Sequence, residues 1–137
     1  MLYQRQPRRG VHVVEFAMVA PLVVLLLFGL IVGGLGVFRY QEVASLAREG
    51  ARYASVHGYK YSQVTGKAAA TATDVYTNAI QPRMVILDPN SLNYTITWNP
   101  DNQQGSTVTV TVTYQWVPEA LLGGITLGST STMPISY

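Results

Sequence analysis

Residues 16–38, FAMVAPLVVLLLFGLIVGGLGVF, contain no ionisable side chain. Wound as a helix at about 1.5 Å per residue, such a run is about 35 Å long, against a bilayer hydrocarbon core of about 30 Å. It spans with a slight tilt. A cleaved secretory signal has a shorter apolar region, of about 7–15 residues, followed closely by a small-x-small cut site, and no such site follows here. Arg8-Arg9 would suit a twin-arginine signal, but Gly10, His12 and Glu15 stand where that signal continues as apolar residues. Of the 137 residues, about 100 follow the run, enough for one small domain. A multidomain enzyme is excluded, as is a fully soluble protein that keeps the run.

Charge is scarce and unevenly placed. Lys and Arg number nine and Asp and Glu seven, for a net +2. Arg5, Arg8 and Arg9 precede every acid, and without them the balance is slightly negative. The sequence pI near 9.0 therefore belongs to the N-terminal residues. Nucleic acid is not an expected partner, since that needs basic residues clustered on a folded face. With three Arg before the run and the balanced set Arg39, Glu42, Arg48 and Glu49 after it, the positive-inside rule puts the N-terminus in the cytoplasm and the rest outside. The absence of Cys excludes disulfides, thiolate metal sites and thiol nucleophiles.

Two features of the apolar region stand out. Val11, Val13 and Val14 precede Glu15, so the carboxylate lies inside the greasy segment. There it costs up to about 3 kcal/mol on insertion scales, less near an end where it can snorkel. Spacing alone leaves an interfacial carboxylate and a functional one equally open. The other feature is a glycine set, Gly29, Gly33, Gly34 and Gly36, in which Gly29-x-x-x-Gly33 makes a shallow groove for another helix. Pro21 should kink the span, since its ring removes one backbone hydrogen bond.

Beyond the run, Val43, Leu46, Ala47, Gly50, Ala51, Tyr53 and Ala54 keep helical spacing, so the membrane helix should continue outward with a small, close-packing face. Glu49 and Arg52 are three apart and should pair. His57-Gly58 reads as the stop, with Gly58 suited to a left-handed position. Ser62 to Ile80 reads as a second helix, with Val64, Ala68, Ala72, Val75 and Ala79 on one face, ended by Pro82. Met84 to Leu87 is a short strand candidate. Leu92, Tyr94, Ile96 and Trp98 alternate with polar residues, as do Val108, Val110, Val112, Tyr114 and Trp116. The turn-rich NPDNQQG between them predicts an antiparallel hairpin with its apolar face on the first helix. Residues 121–125, LLGGI, are expected to touch the membrane or a neighbouring subunit, and Thr130 to Tyr137 to add a last strand, held to an edge by Pro134. Trp98 and Trp116 are read as core residues in preference to a ligand platform. No nucleophile–base set, paired carboxylates, metal-ligand spacing or phosphate loop is present. Neither catalysis nor a cofactor nor a metal is expected.

Residues 8–16, RRGVHVVEF, resemble the cleavage region of type IV prepilins: a short basic leader ending in Gly, with Glu five residues after the cut. The longer stretch RRGVHVVEFAMVAPLVVLLLFGL, with Arg48-Glu49-Gly50-Ala51-Arg52-Tyr53-Ala54, is similar to the TadE-like family. Its members are minor pseudopilins of the tight-adherence (Flp) type IV pilus system in bacteria. Flp pilins proper carry Tyr after the Glu and lack a downstream domain. Phe16 and the long C-terminal region favour the minor-subunit type.

That resemblance implies cleavage between Gly10 and Val11 by a prepilin peptidase. Gly10, lacking a Cβ, lets an extended backbone approach catalytic groups closely. It implies that Glu15 pairs with an N-terminal amine, often a neighbour's, which would offset its burial and set axial register. Gly29, Gly33 and Gly36 would pack against other pilin helices. The implied partners are the membrane, other pilin or pseudopilin subunits, the peptidase and the assembly platform, at the bacterial inner membrane. The expected architecture is α+β: a leader (1–10), a transmembrane helix (11–38) and an exterior domain (39–137) with a second helix and a short antiparallel sheet. The alternative is an uncleaved single-pass protein whose exterior domain binds a ligand or an envelope partner.

Overall fold

A computed structural model describes residues 9–118 and 123–137. Arg5 and Arg8 of the expected leader, and Leu121-Leu122, lie outside the described residues. The chain divides into two compact units, one ending at Leu35 and one beginning at Gly36. The elements are α1 (Arg9–Val56), α2 (Tyr59–Thr65), α3 (Ala72–Val75), a π-helical turn (Tyr76–Ile80), two 3₁₀ turns (Gln81–Arg83 and Pro89–Ser91), and strands β1 (Leu92–Asn99), β2 (Thr107–Trp116) and β3 (Ile125–Pro134). The architecture is α+β: one long apolar N-terminal helix, a short second helix and a small antiparallel sheet.

Pro21 lies within α1. Through Leu35 most of the large described side chains of α1 are exposed, Phe16, Leu22, Leu25 and Leu30 among them. In the second unit the helix behaves oppositely: Val43, Leu46, Ala47, Ala51 and Ala54 are buried, the face that the i, i+3, i+4 spacing marks out. The end of α1 is tied down by distant backbone. The Ser55 carbonyl accepts from the Ser136 amide at 2.9 Å, and the Gly58 amide donates to the Tyr137 carbonyl at 2.9 Å. These bonds satisfy groups that a helix end leaves unpaired. Gly58 is not left-handed, as the sequence suggested; its φ is −79°. It is required for closeness, since a Cβ there would stand 2.6 Å from the Tyr137 carbonyl oxygen.

The expected single helix over 62–80 is two. Gly66, at φ 70°, closes α2 with its amide on the Ser62 carbonyl. Thr71 then opens α3 through a reciprocal cap with Asp74, which competes with helix continuation through residues 66–71. Val64 is consequently exposed, while Val75 and Ala79 enter the core. The π-helical turn packs Tyr76 flat on Tyr94 of β1, ring centroids 4.6 Å apart.

Residues 84–87 do not form a strand. Two of their amides go to a helix side chain instead, Glu42 Oε1 accepting from the Val85 amide at 2.7 Å and the Ile86 amide at 3.3 Å, and the Met84 amide donates to the Gln81 carbonyl. The hairpin is as expected. β1 and β2 pair antiparallel from Leu92↔Tyr114 to Asn99↔Thr107, with Val108, Val110, Val112, Tyr114 and Trp116 buried. The last strand begins five residues earlier than its expected start at Thr130, because Ile125 pairs with Trp116 and the ladder runs unbroken to Pro134↔Thr107. β3 is an edge strand, the position that Pro134 demands. On the outer face, Thr109 and Thr111 exchange hydroxyl hydrogen bonds with Thr132 and Thr130.

Candidate functional site

In the first unit, the residues of the expected cut, Gly10 and Val11, lie in the opening turn of α1. Glu15, one turn on, is exposed, its Oε2 4.0 Å from His12 Nδ1. Sequence reasoning did not single out His12, although its i, i+3 spacing from Glu15 is the signal for such a pair. A Cβ placed on Gly29 or Gly33 would meet nothing within 4 Å. These two glycines lie one turn apart on one helix face, so their notch is open. Among the described residues, one helix, α1, is long and apolar enough to cross a membrane.

Gly36, the third glycine expected to pack, differs from the other two. A Cβ there would stand 2.7 Å from the Trp116 ring, and the Arg39 guanidinium lies over the same ring, 5.2 Å from its centroid. The chain itself fills this notch. Contact over 80 positions leaves no local pattern, and sequence reading missed it.

The segment 48–54, REGARYA, is likewise used within the second unit. Gly50 is buried, with room for a Cβ only 3.1 Å from Val110 and 3.3 Å from Ile80. Ala51 and Ala54 are buried beside it. Glu49 pairs with Arg52 at 3.5 Å, as expected, and also with Arg83 at 3.0 Å, which no spacing rule foretold. Together Gly50, Ala51 and Ala54 form a small-residue face of the kind that lets helix and sheet approach.

Next to that segment runs a groove of about 480 Å³ lined in part by Glu49, Arg52, Tyr53, His57, Asn78 and Arg83. A second hollow of about 250 Å³ shares Tyr53, His57 and Asn78 and reaches Lys67 and Asp74. Tyr53 stacks on His57 at 4.0 Å, and His57 meets the edge of Tyr61 at 4.6 Å. His57 Nδ1 lies 2.8 Å from the Tyr53 carbonyl oxygen. A carbonyl only accepts, so Nδ1 carries the proton and Nε2 is the free nitrogen of the neutral ring. Burial, then Asp74, then Tyr61 push the Tyr53 phenol above its ordinary pKa. Thr71, by hydroxyl and amide hydrogen bonds, holds the Asp74 carboxyl below its own. The groove offers hydrogen bonds, an aromatic wall and two guanidinium groups sharing one carboxylate. Among the described residues no cluster of His, Cys, Asp or Glu is able to hold a metal.

Comparison with curated proteins and with solved structures gives no match. A family model described as TadE-like protein matches residues 10–52, about a third of the chain. The match takes in Gly10, Val11, Glu15, Gly29, Gly33 and Gly36 and stops at Arg52, so over this stretch the chain is similar to TadE-like proteins.

Proposed function

We propose that the chain is a minor pseudopilin of a tight-adherence (Flp) type IV pilus system, held in the bacterial inner membrane by α1 with the second unit outside. The TadE-like match over residues 10–52 carries this reading. Two observations accompany it: Glu15 is exposed, and the Gly29–Gly33 notch is unfilled. In the proposed mechanism a prepilin peptidase cuts after Gly10, freeing the Val11 amine. Glu15 then pairs with an N-terminal amine, its own or a neighbour's, so that a carboxylate otherwise costly in an apolar setting is neutralised on assembly. Gly29 and Gly33 admit another subunit's helix. The work is structural, not catalytic.

The intact mass of the membrane-extracted protein tests the processing step. The expected product lacks Met1 to Gly10 and begins at Val11; full-length chain in cells with an active cognate peptidase overturns it. Glu15→Ala tests assembly separately, with loss of incorporation into pili or the assembly platform expected and unchanged incorporation counting against a role for Glu15. The groove along Tyr53 and His57 favours a second reading, in which an uncleaved single-pass protein captures a ligand or envelope partner there. Full-length chain together with loss of that capture on His57→Ala would support it.

A further inference from the structure

One end of the sheet carries side chains ill suited to water. Val117 is 69% exposed and Ile125 45%, while on α1 Val37 is 61%, Phe38 60% and Tyr40 48% exposed. These five residues lie at one level of the second unit, with Phe38, two positions from Gly36, on the helix face turned away from the sheet. Ile125 pairs with Trp116, Val117 follows Trp116 in the chain, and the Trp116 ring lies against Gly36 and beneath Arg39. Single exposed apolar residues are ordinary; what these five share is their level, beside the end of the uncharged run.

The occupant follows from continuity. Gly36, Val37 and Phe38 are the last residues of the uncharged run 16–38. A bilayer needs about 20 residues of helix, so this end of the run falls at the hydrocarbon boundary, and Trp116 stands against it. Aromatic residues with an Arg beside them are the composition favoured at the headgroup layer. The opposite end of the sheet is polar: Asn99, Asp101, Gln103 and Gln104 are exposed there.

We propose that Val117 and Ile125, with Val37, Phe38 and Tyr40, rest in the interfacial layer of the phospholipid bilayer at the level of the buried Trp116, a second lipid contact to which the sheet itself contributes. This rests on α1 being a membrane span. The chain has no Cys, so single nitroxide labels can be introduced into the full-length protein in phosphatidylcholine nanodiscs as Leu25→Cys, Ile125→Cys and Thr97→Cys. Leu25 reports the span, Ile125 the proposed contact and Thr97 the far end of the sheet. Several-fold greater collision with oxygen than with a water-soluble nickel chelate is expected at Leu25 and Ile125, and the reverse at Thr97. A lipid-exposed Leu25 with a water-exposed Ile125 overturns this proposal alone. A water-exposed Leu25 overturns the span reading and the proposal with it.

The two Trp give a second measurement. Trp98 pairs with Val108 and Trp116 with Ile125, which puts them about 27 Å apart along the ladder at about 3.4 Å per residue. Lipids brominated near the headgroup should quench the Trp98→Phe protein, which retains Trp116, several-fold more than the Trp116→Phe protein. Equal quenching overturns the proposal.

Discussion

Glycine does opposite jobs in the two units. At Gly29 and Gly33 the space a side chain would take is empty, whereas at Gly36 it holds Trp116 and at Gly50 it is bounded by Val110 and Ile80. The large residues divide the same way, with Leu22, Leu25 and Leu30 exposed and Val43 and Leu46 buried. From Gly36 onward one face of the helix, Val43, Leu46, Ala47, Ala51 and Ala54, finds its complement within its own chain. Through Leu35 its apolar side chains are mostly exposed, the pattern of a segment long and apolar enough to cross a membrane.

The sharpest way to break this contrast is a pair of truncations. Leu46→Ala should destabilise the second unit by about 2–5 kcal/mol, the usual cost of emptying a buried leucine site, while Leu25→Ala should leave its melting unchanged; thermal unfolding in detergent reads both. Next comes Gly36→Ala, which must displace the Trp116 ring and should cost about 1–3 kcal/mol. Gly33→Leu should not alter melting but should reduce incorporation into pili or platform, and equal melting losses for the two would end the distinction. Arg83→Ala removes a half-exposed partner of Glu49 and should cost at most about 1 kcal/mol, less in high salt.

The smallest expected effects are titrations. The Asp74 carboxyl is held below its ordinary value of 3.8, so its contribution is full above that pH and is lost as pH falls through the lower folded-state value. Asp74→Asn should flatten that acid limb of the stability curve. The Tyr53 phenol is held above 10.0, so its contribution is complete below pH 10 and fades as pH rises through the folded-state value. Ultraviolet titration of wild type against Tyr53→Phe checks it.

What could be read beforehand follows the range of the interaction. The hairpin was legible because alternation from Leu92 to Trp98 and from Val108 to Trp116 is a local pattern with one buried face, and the Val43–Ala54 stripe was legible for the same reason. The break between α2 and α3 had a local sign, Gly66 followed by Thr71-x-x-Asp74, which the longer Ala/Thr-rich periodicity masked. Residues 84–87 were apolar enough for a strand, but strand formation needs a neighbour, and Glu42 holds the Val85 and Ile86 amides instead. Of the candidate site, Glu15, Gly29 and Gly33 were visible as residue types in an apolar run. The use of Gly36 by Trp116 and of Glu49 by Arg83 was not, since each joins positions more than 30 apart.

The bonds from Ser136 and Tyr137 back to Ser55 and Gly58 bear on the order of biogenesis. On the proposed reading the helix reaches the membrane first, and it can be threaded while its later half still lacks the strands that will cover it. Closure waits until residues 135–137 have emerged, roughly 80 positions after the segment they clasp, so α1 is made well before the unit that its later half belongs to can close. Long-separation contacts of this kind slow folding, and on the proposed reading that delay leaves an interval for membrane insertion before the second unit locks.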